Sequence, residues 1–372
     1  LKLIKNLYGQ KQAGRVWFKH LTFKLKKIGF EPSEVDECIF YKGSCVFFFY
    51  VDDGIFLSPD KTEVSKAIDD LKATGLELED RGNISDYLDI NFNYETDGTI
   101  TMSQPQLINQ LLQAVNHKPN AHLPDTPAVS SRLLRREKRD NIYSGKFRYR
   151  SVIGQLNYLE KCTISDITYA VHQCARFCEN TGISHFKAVE HIVKYLRRTK
   201  DKGLILTPNK NKSIEVYADA DFSGNWFKST APDDASTAKS RSGFIVFYAG
   251  CPIIWKSVLQ TQVALSTTDA EYISLSQSLR DVIPIINLVK EMQKKNISTI
   301  SSVPSVYCKA FEDNSGALEI AKSPKMRPRT KHINLVYHHF REHVRTRLIQ
   351  LFPISTTSQV PDIYTKPLAR DL

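Results

Sequence analysis

The chain has 372 residues, long enough for two or three domains and a sizeable buried core. It is 41% hydrophobic and 10% aromatic, which excludes a disordered or collagen-like polypeptide. Lys plus Arg number 51 against 40 Asp plus Glu, and the resulting net charge of +11 calls for a polyanionic partner, nucleic acid or an acidic membrane face.

Helical spacing of Val16, Lys19, Phe23 and Lys27 predicts a helix over residues 11–29. Residues 38–42 and 45–58, rich in Phe, Val, Ile and Tyr and parted by Gly43-Ser44, predict strands. A helix is predicted over 61–74, ended by Gly75. Strands follow at 86–94 and 99–103 around a Thr96-Asp97-Gly98 turn, then a short amphipathic helix at 106–115. Residues 116–131, with Pro119, Pro124 and Pro127, read as a linker, and 132–150 as a concentrated basic run. Helices dominate to Thr199, and 200–212 is a polar, basic connector.

The last third changes character. A strand is predicted at 214–222 and a hairpin from 244–248 and 253–255 around Ala249-Gly250-Cys251-Pro252. A long helix over 268–295 is interrupted at Pro284. A strand at 305–311 and helices at 315–321 and 334–346 complete the pattern, which fits a mixed α/β fold, α+β in part.

Seven cysteines, an odd set without small-scaffold spacing, read as reduced thiols of an intracellular protein. No apolar run is long enough to span a bilayer, so no membrane partner is expected. The chain opens on Leu1 rather than Met, which reads as a piece whose N-terminal part is missing.

Two carboxylate constellations carry the chemistry. Asp52 and Asp53 stand between two very apolar runs, 47–51 and 54–57. An Asp-Asp-Gly turn explains them by turn propensity alone. Carboxylates among aromatics are also costly unless a cation neutralises them, and oxygen-rich sites suit hard divalent ions. In the second constellation, Ile214, Val216 and Ala218 share one strand face while Glu215, Tyr217, Asp219 and Asp221 share the other. Asp269 and Glu271 follow hydroxyl caps at the start of the long helix, where they would complement its dipole. Asp313 or Asn314 would cap the next helix, and Asp362 lies in a turn-like stretch.

The segment Leu7-Tyr8-Gly9-Gln10-Lys11-Gln12-Ala13-Gly14-Arg15, followed by Tyr50-Val51-Asp52-Asp53, resembles the reverse transcriptase of copia-type LTR retrotransposons. Residues 149–159, 166–171 and 195–199 extend the resemblance in the family's order. It implies a partial palm over 1–115, a basic thumb- or connection-like part over 116–212, and a ribonuclease H-like domain over 213–372. Asp52 and Asp53 would be two of the palm's three metal-binding aspartates. The third would precede Leu1, so the chain alone is not expected to polymerise DNA, and dNTP binds only if the palm is completed. Lys11, Gln12 and Arg15 would lie beside template-primer and nucleotide.

The later acidic set is similar to the attached ribonuclease H. By that match Asp219, Glu271, Asp313 and Asp362 hold two Mg²⁺ ions, with Mn²⁺ as a substitute, and cut the RNA strand of an RNA–DNA hybrid. Asp221 and Asp269 are the lesser partners. Arg329, Lys331 and His332 match the family's Arg-Thr-Lys-His-Ile segment and would contact phosphate. Arg135, Arg136 and Arg148 would track a hybrid backbone. The implied location is a cytoplasmic virus-like particle or the nucleus; oligomeric state stays open. The competing reading is a catalytically inactive nucleic-acid-binding remnant, since Gln10, Asp89, residues 162–165 and Asn334 depart from the family pattern and 225–240 is longer than usual. The His339-Phe340-Arg341-Glu342-His343 zincin-like word, and His172 with Cys174 and Cys178, are read as ordinary helix and core.

Overall fold

The computed structural model describes residues 6–7, 9–116, 122–128, 134–135, 145, 147–228, 231–232, 234–297, 299, 306–323, 333 and 335–367. The chain divides into two compact units, 1–84 with 284–299, and 85–283 with 300–372.

In the first unit, helix α1 (Ala13–Lys27) precedes an antiparallel sheet in the order β1 (Glu31–Pro32), β2 (Ile39–Lys42), β3 (Cys45–Tyr50), β4 (Asp53–Leu57). The predicted 45–58 run is therefore a hairpin, folded at Val51-Asp52. Helix α2 (Lys61–Ala73) is capped by Asp60, whose carboxylate accepts the Thr62 N–H at 2.8 Å. Leu21, Leu25, Phe30, Phe40 and Phe47 form the core, with Phe47 and Phe56 ring centroids 4.4 Å apart. Glu291, from the 284–299 segment, accepts hydrogen bonds from Ser33 Oγ (2.5 Å), the Glu34 N–H (2.6 Å) and Tyr41 Oη (3.1 Å).

The second unit opens with β5 (Asp86–Tyr87), β6 (Ile90–Tyr94) and β7 (Ile100–Ser103). The predicted 86–94 strand is broken at Leu88-Asp89, whose φ values of 51° and 60° make a tight two-residue turn; Asp tolerates that left-handed region better than most residues. Helices α3 (Pro105–Ala114), α4 (Tyr149–Cys162), α5 (Thr168–Ala175) and α6 (Ile183–Arg198) bury one apolar cluster, including Leu111, Leu156, Val171 and Leu196. Cys174 and Cys178 pack in it, and His172 Nε2 lies 3.2 Å from Glu160. The expected 200–212 connector contains a strand instead, β8 (Leu204–Leu206), paired antiparallel to β7. Three residues carry no legible period; the open edge of β7 makes them a strand.

The second sheet of this unit runs β11-β10-β9-β12-β13. Strands β9 (Ile214–Asp221), β10 (Arg241–Tyr248) and β11 (Cys251–Leu259) pair antiparallel, while β12 (Cys308–Glu312) and β13 (Ile349–Pro353) run parallel to β9. The β10–β11 turn is Ala249-Gly250 alone, so Cys251 and Pro252 belong to the strand. Helix α7 (Thr267–Lys294) is not interrupted at Pro284; it runs through the proline and divides its length between the two units there. Helix α8 (Ser315–Lys322) follows β12. The helix predicted over 334–346 is instead a 3₁₀ turn, Leu335–His338, and a short α9 (Arg341–Arg345). Strand β13 and helix α10 (Asp362–Thr365) were not legible in the sequence. Among the described residues no helix is long and apolar enough to cross a membrane.

Candidate metal and nucleic-acid site

Strand alternation places Ile214, Val216 and Ala218 on one face of β9, each fully buried, and Asp219 on the other. The Ser274 hydroxyl of α7 donates to the Asp219 carbonyl at 2.7 Å, which brings the first turns of α7 against this strand. Glu271 lies one turn earlier on α7. Strand β12 ends at Glu312, and Asn314 caps α8 by accepting the Ala317 N–H at 3.0 Å. Asn314 rather than Asp313 is thus the cap.

The carboxylates of Asp219, Glu271 and Asp313 each offer an oxygen within 4.8 Å of the others. Among the described residues this is the group of His, Cys, Asp and Glu placed to hold a metal ion; His339 and His343 are not part of it. Asp362 opens α10 outside that group, ion-paired with Lys366 at 2.8 Å, and its charge still acts on Asp219. Thr365 Oγ1 donates to Asp219 Oδ2 at 2.5 Å. Gly243, opposite Asp219 on β10, lets α10 approach: a Cβ there would lie 2.6 Å from Thr365 Cγ2.

Burial raises the Asp219 carboxyl to about 6, opposed by the Thr365 hydrogen bond and assisted by the Asp362 charge. Burial also raises Glu271, and the neighbouring Glu312 raises it further. Glu312 is fully buried and raised by burial as well. Its Oε1 accepts the Asn314 N–H at 3.1 Å, while its Oε2, the Glu271 Oε2 and the Asp362 Oδ1 have no hydrogen-bond partner among the described residues. Several buried, mutually repelling carboxylates with orphaned oxygens suit a divalent cation, which neutralises charge and takes oxygen ligands.

Sequence reasoning missed Glu312 and Thr365. Glu312 had a signal: it continues the buried alternation of Cys308 and Ala310, where an acid is out of place. Thr365 had none. Asp221 is half-buried and Asp269 buried, yet neither joins the three-carboxylate group.

In the first unit Asp52 and Asp53 sit exposed at the tip of the β3–β4 hairpin. Val51 is held at φ 54°, unfavourable for a β-branched side chain, while Trp17 Nε1 donates to its carbonyl at 2.7 Å. Lys11, Gln12 and Arg15 are exposed around the start of α1, and Arg135 and Arg148 are exposed in the second unit. Arg136, Arg329, Lys331 and His332 lie outside the described residues.

A five-stranded sheet of order 3-2-1-4-5, antiparallel in its first three strands and parallel beyond, with carboxylates from its central strand, from α7 and from the end of β12 converging, defines a mixed α/β architecture of ribonuclease H-like topology. Residues 1–130 match the family described as reverse transcriptase (RNA-dependent DNA polymerase). The retrovirus-related Pol polyprotein from transposon TNT 1-94 of Nicotiana tabacum is 31% identical over 386 residues, covering 100% of this chain and 27% of that protein. Its counterpart from transposon RE1 of Arabidopsis thaliana is 31% identical over 378 residues, 99% of this chain and 24% of that protein. A putative transposon Ty5-1 protein of Saccharomyces cerevisiae is 26% identical over 287 residues, 76% of this chain and 89% of that protein. The chain belongs to the copia-type retrotransposon Pol family, and spans about a quarter of the length of the Pol polyproteins it matches. The match to an RNase H domain from Mycobacterium tuberculosis, 11% identical, covers 40% of this chain and 85% of that one at a TM-score of 0.26.

Proposed function

We propose that the 213–372 part hydrolyses the RNA strand of RNA–DNA hybrids, following the partial palm (1–115) and basic connection (116–212). The observation that carries this reading is the convergence of Asp219, Glu271 and Asp313 within 4.8 Å. Those three would hold Mg²⁺ or Mn²⁺, with Asp362 beside them. Two such ions would offset the charge of a scissile phosphate, make water nucleophilic at neutral pH and stabilise the departing 3′ oxygen. The protein's own work is positional. Thr365 orients Asp219, the Asn314 N–H holds Glu312, and the α7 hydroxyl of Ser274 fixes the strand beneath. RNA would be told from DNA by its 2′-hydroxyl groups.

Asp52 and Asp53, at the tip of an exposed hairpin, would serve polymerisation with template-primer and dNTP only alongside the third palm aspartate. Lys11, Gln12, Arg15, Arg135, Arg136, Arg148, Arg329, Lys331 and His332 would supply contacts that carry affinity without sequence choice. Expression in a cytoplasmic particle or the nucleus fits that role.

One observation favours the inactive, binding-only reading: Lys366 already engages Asp362 at 2.8 Å. Cleavage of a labelled RNA–DNA hybrid in Mg²⁺, with Asp219→Asn as control, decides. Metal-dependent cleavage lost in Asp219→Asn supports the nuclease; salt-sensitive binding without cleavage supports the remnant.

A further inference from the structure

The loop after β9 carries three large aromatic residues at the surface: Phe222, Trp226 and Phe227, 39%, 50% and 49% exposed. Exposed aromatics in one short loop are unusual unless something covers them. The loop is nevertheless well anchored. Asn225 is buried and accepts from Gln173 Nε2 at 3.1 Å, Ser223 Oγ donates to the Ala238 carbonyl at 3.0 Å, and the Trp226 N–H closes a turn on the Ser223 carbonyl at 2.8 Å. The loop also folds back on the catalytic strand. A Cβ on Gly224 would lie 1.7 Å from an Asp221 carboxylate oxygen, so the loop packs closely on that side chain, and Asp221 feels the charges of Lys366 and Asp362. Basic groups flank the rings: the Arg135 guanidinium lies 4.5 Å from the Phe227 ring centroid, and Lys228 follows directly. The one described acid of the following turn, Asp234, is engaged by Arg176 at 3.2 Å.

A rigid exposed indole with cations beside it suits one ligand chemistry, a nucleobase with its phosphate. A base inside a duplex has both faces covered by its neighbours. We propose that Trp226 forms a stacking platform for an unpaired nucleotide that adjoins the hybrid at the Asp219 centre, with Arg135, held on the Phe227 ring, and Lys228 meeting its phosphates. The assignment rests on the nuclease reading above.

The test is fluorescence anisotropy of labelled RNA–DNA hybrids, blunt or with a short single-stranded extension, bound by the full chain without divalent metal. Wild type binds the extended hybrid about tenfold more tightly than the blunt one, from one stacked base. In Trp226→Ala that ratio collapses towards one, and Trp226→Phe restores most of it. Equal ratios in wild type and Trp226→Ala overturn the platform while leaving the nuclease reading intact. Failure of wild type to bind either hybrid overturns both. A concentration-dependent rise in mass that Trp226→Ala removes would make the patch an interface between copies, and overturns the platform too.

Discussion

Thr365 Oγ1 donates to Asp219 Oδ2 at 2.5 Å, joining residues 146 positions apart. Gln359 Nε2 adds a second tie, to the Ala218 carbonyl at 2.8 Å. The C-terminal segment therefore holds both the side chain and the backbone of the strand that carries the first site carboxylate. Thr365→Val keeps the shape and removes the donor. Hybrid cleavage should fall at least about tenfold, and unfolding should cost about 1.5–3 kcal/mol less, the usual worth of a hydrogen bond to a charged group. Thr365→Ser should recover most of both. Cleavage rates and thermal melts check it; a Val variant as active as the parent would remove Thr365 from the site.

Gly243 is required by the same packing. A Cβ at that position would lie 2.6 Å from Thr365 Cγ2, 2.9 Å from Tyr364 Cβ and 3.1 Å from the Pro361 carbonyl oxygen. Gly243→Ala should displace α10, costing about 1–3 kcal/mol as an overpacked contact. Cleavage should drop further than stability does. Circular dichroism against hybrid cleavage separates the two effects.

Glu312 adds a buried carboxyl beside Glu271, and Glu312→Gln removes the ionisable group. Without divalent metal at neutral pH, the variant should melt at a higher temperature than the parent, because burial raises the Glu312 carboxyl, so folding must either bury its charge or draw a proton onto it, and both cost stability. Mg²⁺ should raise the parent's melting temperature, by about 2.7 kcal/mol of stability at a hundred times its Kd. The gain should be smaller in Asp219→Asn. A parent whose melting temperature ignores Mg²⁺ would count against the metal site.

Glu291 contributes to the acid limb of the first unit. Its hydrogen bonds from Ser33, Glu34 and Tyr41 outweigh burial and hold its carboxyl below the ordinary glutamate value. A folded value below the unfolded one means the stabilisation is present above the unfolded pKa and is lost as pH falls through the folded one. Glu291→Gln should therefore destabilise the unit by about 1–3 kcal/mol at pH 7. The gap should close as the solution is acidified below the usual glutamate range of about 4.3. Melts across that range check the sign; a gap that widens in acid would contradict it.

Strand β9, the β3–β4 hairpin and the cap of α8 are legible because their signals are local: a period of two, a turn word between two apolar runs (though the turn itself falls on Val51-Asp52, one residue before the Asp53-Gly54 pair), a polar residue before an apolar helix. Strands β8 and β13 and helix α10 are not, since three to five residues carry too little periodicity and pair with partners far along the chain. The expected break at Pro284 failed for a related reason. A proline removes one hydrogen bond, and the packed turns on either side of it maintain the helix.

Residue order alone established the family, the mixed α/β plan and the acids worth watching, because motif words and alternating polarity are read over a few neighbours at a time. Folding chose among those acids. It gathered Asp219, Glu271 and Asp313, set Asp362 against Lys366, left Asp221 and Asp269 out of the cluster and added Glu312. Strand register and helix approach govern which distant carboxylates meet, and neither is written in any local stretch of the chain.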